Sequence, residues 1–178
     1  NLDLGITSFD LADIDGGYQV EALFGEALAL APQLRRKMQL VSKCGIRLPS
    51  PARLGNTIRH YDTSAAHVRA SVEHSLRALR TDTLDLLLIQ RPDLLLDADE
   101  LATTCDALRA EGKVRHFGAS NFAPSTFAML HRRCPLVAHQ FQLSPLHRDP
   151  LHDGTLDQCQ DLALRPMAWG PFASGLVF

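Results

Sequence analysis

The sequence lacks most of the features that mark specialised protein classes. No apolar run comes near the ~20 residues that a membrane-spanning helix needs. Charge of either sign is not in excess: 18 Lys and Arg against 20 Asp and Glu leave a formal net charge of −2. That balance gives no electrostatic footprint for nucleic acid or for an anionic membrane. The short basic runs Arg35-Arg36-Lys37 and Arg132-Arg133 read as solvated helix ends. The four cysteines (Cys44, Cys105, Cys134, Cys159) form no CxxC and no metal-type spacing, so they are expected to act as small hydrophobes in a reducing, cytoplasmic compartment. The N-terminus shows no signal-peptide pattern. No GxGxxG turn follows a strand, and Gly16-Gly17 lacks the remaining glycines, which argues against a Rossmann site. His67 and His74 share a helix face, but no third ligand lies near them in sequence, so packing or surface roles are expected rather than zinc.

What is present is apolar material in a regular alternation. With 46% hydrophobic residues over 178 positions, the chain reads as one globular domain, 1–178. Ser8 to Leu11 reads as the end of a strand, followed by a helix from Gln19 to Ala31 with Val20, Leu23, Phe24, Ala27 and Leu28 on one face. Gln39 to Lys43 is a strand. Val68, Val72, Leu76 and Leu79 mark a helix stripe, with Thr63 or Ser64 placed to cap it. Leu84 to Ile89 is a near-continuous apolar run, the pattern of a strand buried on both faces. There follow a helix from Ala98 to Glu111 stopped by Gly112, a strand from Lys113 to Ala119, and a helix from Pro124 to Arg133. A strand from Leu136 to Gln140, a helix from Leu156 to Leu164 and a strand from Pro166 to Trp169 complete the series. Strand–helix repeats of this kind imply a parallel α/β sheet, either doubly wound or closed into a barrel.

In a (β/α) barrel the chemistry sits at the C-terminal ends of the strands. Those ends carry, in order, Asp10, Lys43, Gln90, Ser120-Asn121, Gln140 and Trp169, the only tryptophan. Together they describe a polar pocket with an aromatic platform.

The segments FDLADIDGGYQVEALFGEAL (Phe9 to Leu28), VSKCG (Val41 to Gly45), LDLLLIQRPD (Leu84 to Asp93), GKVRHFGASNF (Gly112 to Phe122) and RPMAW (Arg165 to Trp169) resemble the aldo-keto reductase family. The resemblance runs along the whole chain and is nearest to the family's bacterial oxidoreductase branch. It implies a TIM (β/α)8 barrel that binds NADPH across the strand ends without a Rossmann motif and reduces an aldehyde or ketone. In that family a tyrosine, aided by a lysine, a histidine and an aspartate, protonates the carbonyl oxygen as hydride arrives. The resemblance makes Asp10 the aspartate and Lys43 the lysine. It assigns Ser120, Asn121 and Gln140 to the nicotinamide carboxamide, and Trp169 to stacking on its ring.

Two positions depart from that pattern: the tyrosine position is Asp15 and the histidine position is Gln90. An aspartate beside Lys43 is expected to be ionised and paired with it, leaving no proton to give. Gln90 can hydrogen-bond a carbonyl oxygen but cannot deliver a proton. Tyr18 is expected to pack in the first helix turn rather than to replace the missing phenol. A full barrel takes about 250 residues, and the resemblance runs from the second strand to the seventh, so the chain reads as an incomplete barrel and a piece of a longer protein. The loop from Gly45 to Asp62, with Pro49, Pro51 and Gly55, is expected to be an irregular cover over the pocket mouth. Two functions are consistent with these residues. One is an NADPH-dependent reductase of small carbonyl compounds with impaired proton delivery. The other is a non-catalytic barrel that binds nucleotide or a protein partner.

Overall fold

The computed structural model describes residues 2–178. Along the chain lie β1 (Ser8–Asp10), α1 (Asp15–Tyr18), α2 (Val20–Ala29), β2 (Gln39–Cys44), β3 (Ile46–Arg47) and β4 (His60–Tyr61). They are followed by α3 (Ala65–Leu79), β5 (Leu84–Ile89), α4 (Ala98–Ala110), β6 (Val114–Ser120), α5 (Pro124–His131), β7 (Leu136–Gln142), α6 (Thr155–Asp161) and β8 (Arg165–Trp169). No helix is long and apolar enough to cross a membrane among the described residues.

The strand order decides between the two parallel architectures. The main sheet has six strands in the order β1-β2-β5-β6-β7-β8, every pair parallel. Apart from the small β3–β4 ladder, this is the order of the sequence, with no reversal. A doubly wound sheet reverses its order at a switch point; a barrel wall does not. The fold is therefore a run of TIM-barrel wall, and every strand of the main sheet ends on the same rim.

The apolar run of β5 is buried on both faces, as its sequence predicts. Leu84, Leu87 and Ile89 join the outer core with Val68, Val72, Leu76 and Leu79 of α3 and with Leu101, Leu108, Phe117 and Phe127. Leu86 and Leu88 face the other way, toward Val41, Ala138 and Met167. All four cysteines are free and buried. Ser64 caps α3 by accepting from the His67 amide at 3.3 Å, and α4 ends before Gly112, whose φ is +72°.

Two expectations need correction and a third needs completing. Val20, Phe24 and Leu28 of α2 pack inward as expected, but Glu21 and Gly25 share that face, while Ala27 is exposed and Leu23 is 61% exposed. Gly25 sets that face: a Cβ there would lie 2.0 Å from the Ala78 carbonyl oxygen, so only glycine lets α2 cross the end of α3 so closely. Arg35 is no solvated helix end, because its guanidinium holds Thr81, the Thr83 carbonyl and Asp85. The loop from Gly45 to Asp62 is irregular over residues 48–59, as expected, but its two ends are tied together. β3 and β4 pair antiparallel, and Arg47 ties them to Asn56 at 2.9 Å and Asp62 at 2.9 Å.

Gly25→Ala is expected to lower Tm through overpacking, which costs typically about 1–3 kcal/mol. Thermal unfolding checks this; an unchanged Tm would mean that the α2–α3 crossing yields freely.

Candidate active site

The rim of the sheet carries a cleft of about 330 Å³ lined by Asp10, Lys43, Gln90, Ser120, Asn121, Gln140 and Trp169, together with Ile14, Ile46, Arg59 and Arg91. Each of the first seven stands at a strand end, where the barrel aims side chains at one mouth. The sequence reading missed the other four. Arg91 follows directly on Gln90, so adjacency to a strand end was a usable signal. Ile46 and Arg59 come from the β3–β4 segment, whose two-residue strands are too short to show periodicity.

A buried ammonium organises the floor. Lys43 is 9% exposed. Its Nζ donates to Asp10 Oδ1 at 2.7 Å and to the Leu11 carbonyl at 2.9 Å. The second Asp10 oxygen accepts from Gln140 Nε2 at 2.8 Å, which joins β1 to β7 across the sheet's concave side. A second network builds the opposite wall. Asn121 holds a left-handed φ of +58°, and its Nδ2 donates to the Gln90 carbonyl at 3.1 Å and to Ser120 Oγ at 2.8 Å. Asn121 Oδ1 accepts from Trp169 Nε1 at 2.9 Å, which fixes the indole in the wall. Gln90 is anchored by its backbone N–H on the Cys44 carbonyl, and its side-chain Oε1 is buried with no hydrogen-bond partner. That oxygen is a buried acceptor left without a donor among the described residues.

Asp15 is placed differently from the expectation, whereas Tyr18, as expected, does not take the place of the missing phenol. The Asp15–Lys43 pair does not form, because Asp10 and Leu11 already take the ammonium. Asp15 Oδ2 accepts instead from the Ala12 amide at 2.9 Å, reaching back three residues as the acid of a capping box does. Gly16 and Gly17 follow at φ +57° and +67°, a left-handed turn that carries Tyr18 away from the cleft. The Tyr18 hydroxyl accepts from the Leu48 amide at 2.8 Å and from Asn56 Nδ2 at 3.2 Å. It lines a second cavity, shared with Asp13, Arg53, His67, Ser71 and His74. No group of His, Cys, Asp and Glu there or elsewhere among the described residues could hold a metal ion.

The comparisons with known proteins agree with this geometry. The model of the aldo/keto reductase family matches residues 1–178. The chain belongs to the aldo-keto reductase family. It is 56% identical to Oxidoreductase YdhF of Escherichia coli over all of its length and 60% of that protein's. It is 46% identical to a 6-dehydroglucose reductase of Agrobacterium fabrum, covering 98% of this chain and 59% of the enzyme. Among solved structures, a glycerol dehydrogenase from Gluconobacter oxydans superposes with a TM-score of 0.88 at 32% identity, covering 98% of this chain and 52% of that one. The holo form of an aldo-keto reductase from Bacillus halodurans gives 0.82 at 30% identity, covering 98% and 56%. The chain thus spans about 60% of the length of these curated relatives.

Asp13, in the second cavity, is a buried acid whose carboxyl is pushed up to about 7, chiefly by burial, although Ser71 donates to it. A carboxyl raised by folding favours the protonated folded state. Its contribution to stability is present below the ordinary value near 3.8 and is lost as pH rises to about 7. Asp13→Asn keeps an acceptor for Ser71 and removes the charge, so the variant is expected to gain stability relative to wild type between pH 5 and pH 8. Urea midpoints at both pH values check this, and a pH-independent difference would contradict it.

Proposed function

We propose that the full-length protein is an oxidoreductase that binds NADPH across this rim and reduces a small aldehyde or ketone, with proton delivery impaired. The observation that carries the reading is the composition of the cleft around Lys43: among the described residues that line it there is neither a phenol nor an imidazole. The residues present fit a nicotinamide. Its carboxamide needs a donor and acceptors, which Ser120 Oγ and the Gln140 amide offer. The indole of Trp169, held by Asn121, provides a flat wall for the ring.

NADPH, when bound, supplies the hydride. The chain's own part is positioning and electrostatics. Lys43 keeps its ammonium in a poorly hydrated place and lies within reach of a carbonyl oxygen in the cleft, where its charge opposes the charge that develops on that oxygen. Gln90 orients polar groups beside it. With Asp15 occupied by the Ala12 amide, the alkoxide has no tyrosine to quench it, and general acid catalysis, typically about 10²–10⁴-fold, is missing. The relatives named oxidoreductase and 6-dehydroglucose reductase support the reaction class. A barrel that serves only as a nucleotide sensor would use the same wall, so turnover is what separates the two readings.

Titration of the full-length protein with NADPH, followed by the part of the tryptophan emission that Trp169→Phe removes, is expected to give saturable quenching, with slow oxidation when an aldehyde is added. Ser120→Ala should weaken binding about 2- to 10-fold, the worth of one hydrogen bond. Quenching with no turnover would favour the sensor, and no saturable response would overturn both readings.

A further inference from the structure

The second cavity, about 280 Å³, lies between the Gly16–Tyr18 turn, the β3–β4 segment and α3, and contains none of the residues of the Lys43 cleft. Its lining is strongly basic: Arg47, Arg53 and Arg77 with His67 and His74. Arg47 is consumed by Asp62 and Asn56. Arg53 and Arg77 have no salt-bridge partner among the described residues, and Arg53 is held in place by stacking on the Tyr18 ring, 4.9 Å from its centroid. Against these cations stands one acid. Asp13 is only 5% exposed; Ser71 donates to Oδ2, and Oδ1 is buried with no partner. His67 Nε2 is also buried and unpartnered in the same lining.

Two unpaired guanidiniums beside an unsatisfied carboxylate oxygen form a selective combination. A simple dianion would satisfy the arginines and be repelled by Asp13. A neutral hydroxyl compound would satisfy Asp13 and leave the arginines bare. An oxyanion that also carries an O–H satisfies both. We propose that this cavity binds inorganic phosphate, with Arg53 and Arg77 on its oxygens and Asp13 Oδ1 accepting its O–H. Guanidinium forks match phosphate geometry. His67 and His74, held neutral by burial, add ring nitrogens rather than charge.

Sulfate has the size and charge of phosphate but no proton at neutral pH, so it separates this arrangement from plain charge attraction. To bind, it would need Asp13 to take up a proton. One unit above the carboxyl value of about 7, that uptake costs about tenfold in affinity. Calorimetric titration of the full-length protein at pH 8 with inorganic phosphate, at constant ionic strength, is the test. Expected are saturable 1:1 binding, an affinity about tenfold above that for sulfate, and loss of tenfold or more in Arg53→Gln and Arg77→Gln, as for charge-assisted hydrogen bonds. Asp13→Asn should remove the preference over sulfate. Arg77 is exposed on α3, so its variant is expected to fold whatever the fate of the others. Absence of saturable phosphate binding, equal affinity for sulfate, or indifference to Arg77→Gln would each overturn the proposal. Trp169 quenching by NADPH is read at the other cleft, so failure here leaves that reading standing.

Discussion

A lysine ammonium taken out of water must be paired, and much of the active-site geometry follows from how Lys43 meets that requirement. Its two partners, Asp10 Oδ1 and the Leu11 carbonyl, stand at the end of the neighbouring strand. Asp10 then passes the constraint on to Gln140, so three strand ends are tied by one charge and its hydrogen bonds. Such a pair is weak support for stability, since burying both charges offsets much of their attraction. Its consequence is positional: β1, β2 and β7 are held in the register that a rim site needs.

The same pairing explains why Asp15 does not behave as a second counter-ion. Once Asp10 and Leu11 hold the ammonium, the cheapest partner for Asp15 is the nearby Ala12 amide. The left-handed glycines then turn the chain and send Tyr18 to a different cavity. The result is a rim in two halves. On one side Ser120, Asn121, Gln140 and Trp169 form a connected wall, the one that the proposed function gives to the nicotinamide. On the other, Gln90 stands where proton chemistry would call for an acid.

The fold was legible in the sequence because barrel strands announce themselves. The run from Leu84 to Ile89 is apolar on both faces, and the stripe Val68-Val72-Leu76-Leu79 has helical spacing. The site residues at strand ends were legible for the same reason, since each follows an apolar run and precedes a loop. Three things were not. Asp15's partner depends on competition for Lys43, which no spacing reveals. The inward face of α2 is set by Gly25 against the Ala78 carbonyl, a backbone contact that a hydrophobic pattern misses. The basic cavity gathers Asp13, Arg53 and Arg77 from three separate segments, and nothing local marks them as neighbours.

The central claim is that the hydride side of the site is retained and the proton side is not. Its most direct test is the steady-state kcat/KM for a panel of aldehydes, comparing the full-length protein with its Asp15→Tyr/Gln90→His double variant. The account predicts a gain of about 100-fold or more, the usual worth of a placed general acid, with NADPH affinity little changed. No gain in a folded variant that still binds NADPH would contradict it, because something other than the missing acid would then limit the reaction.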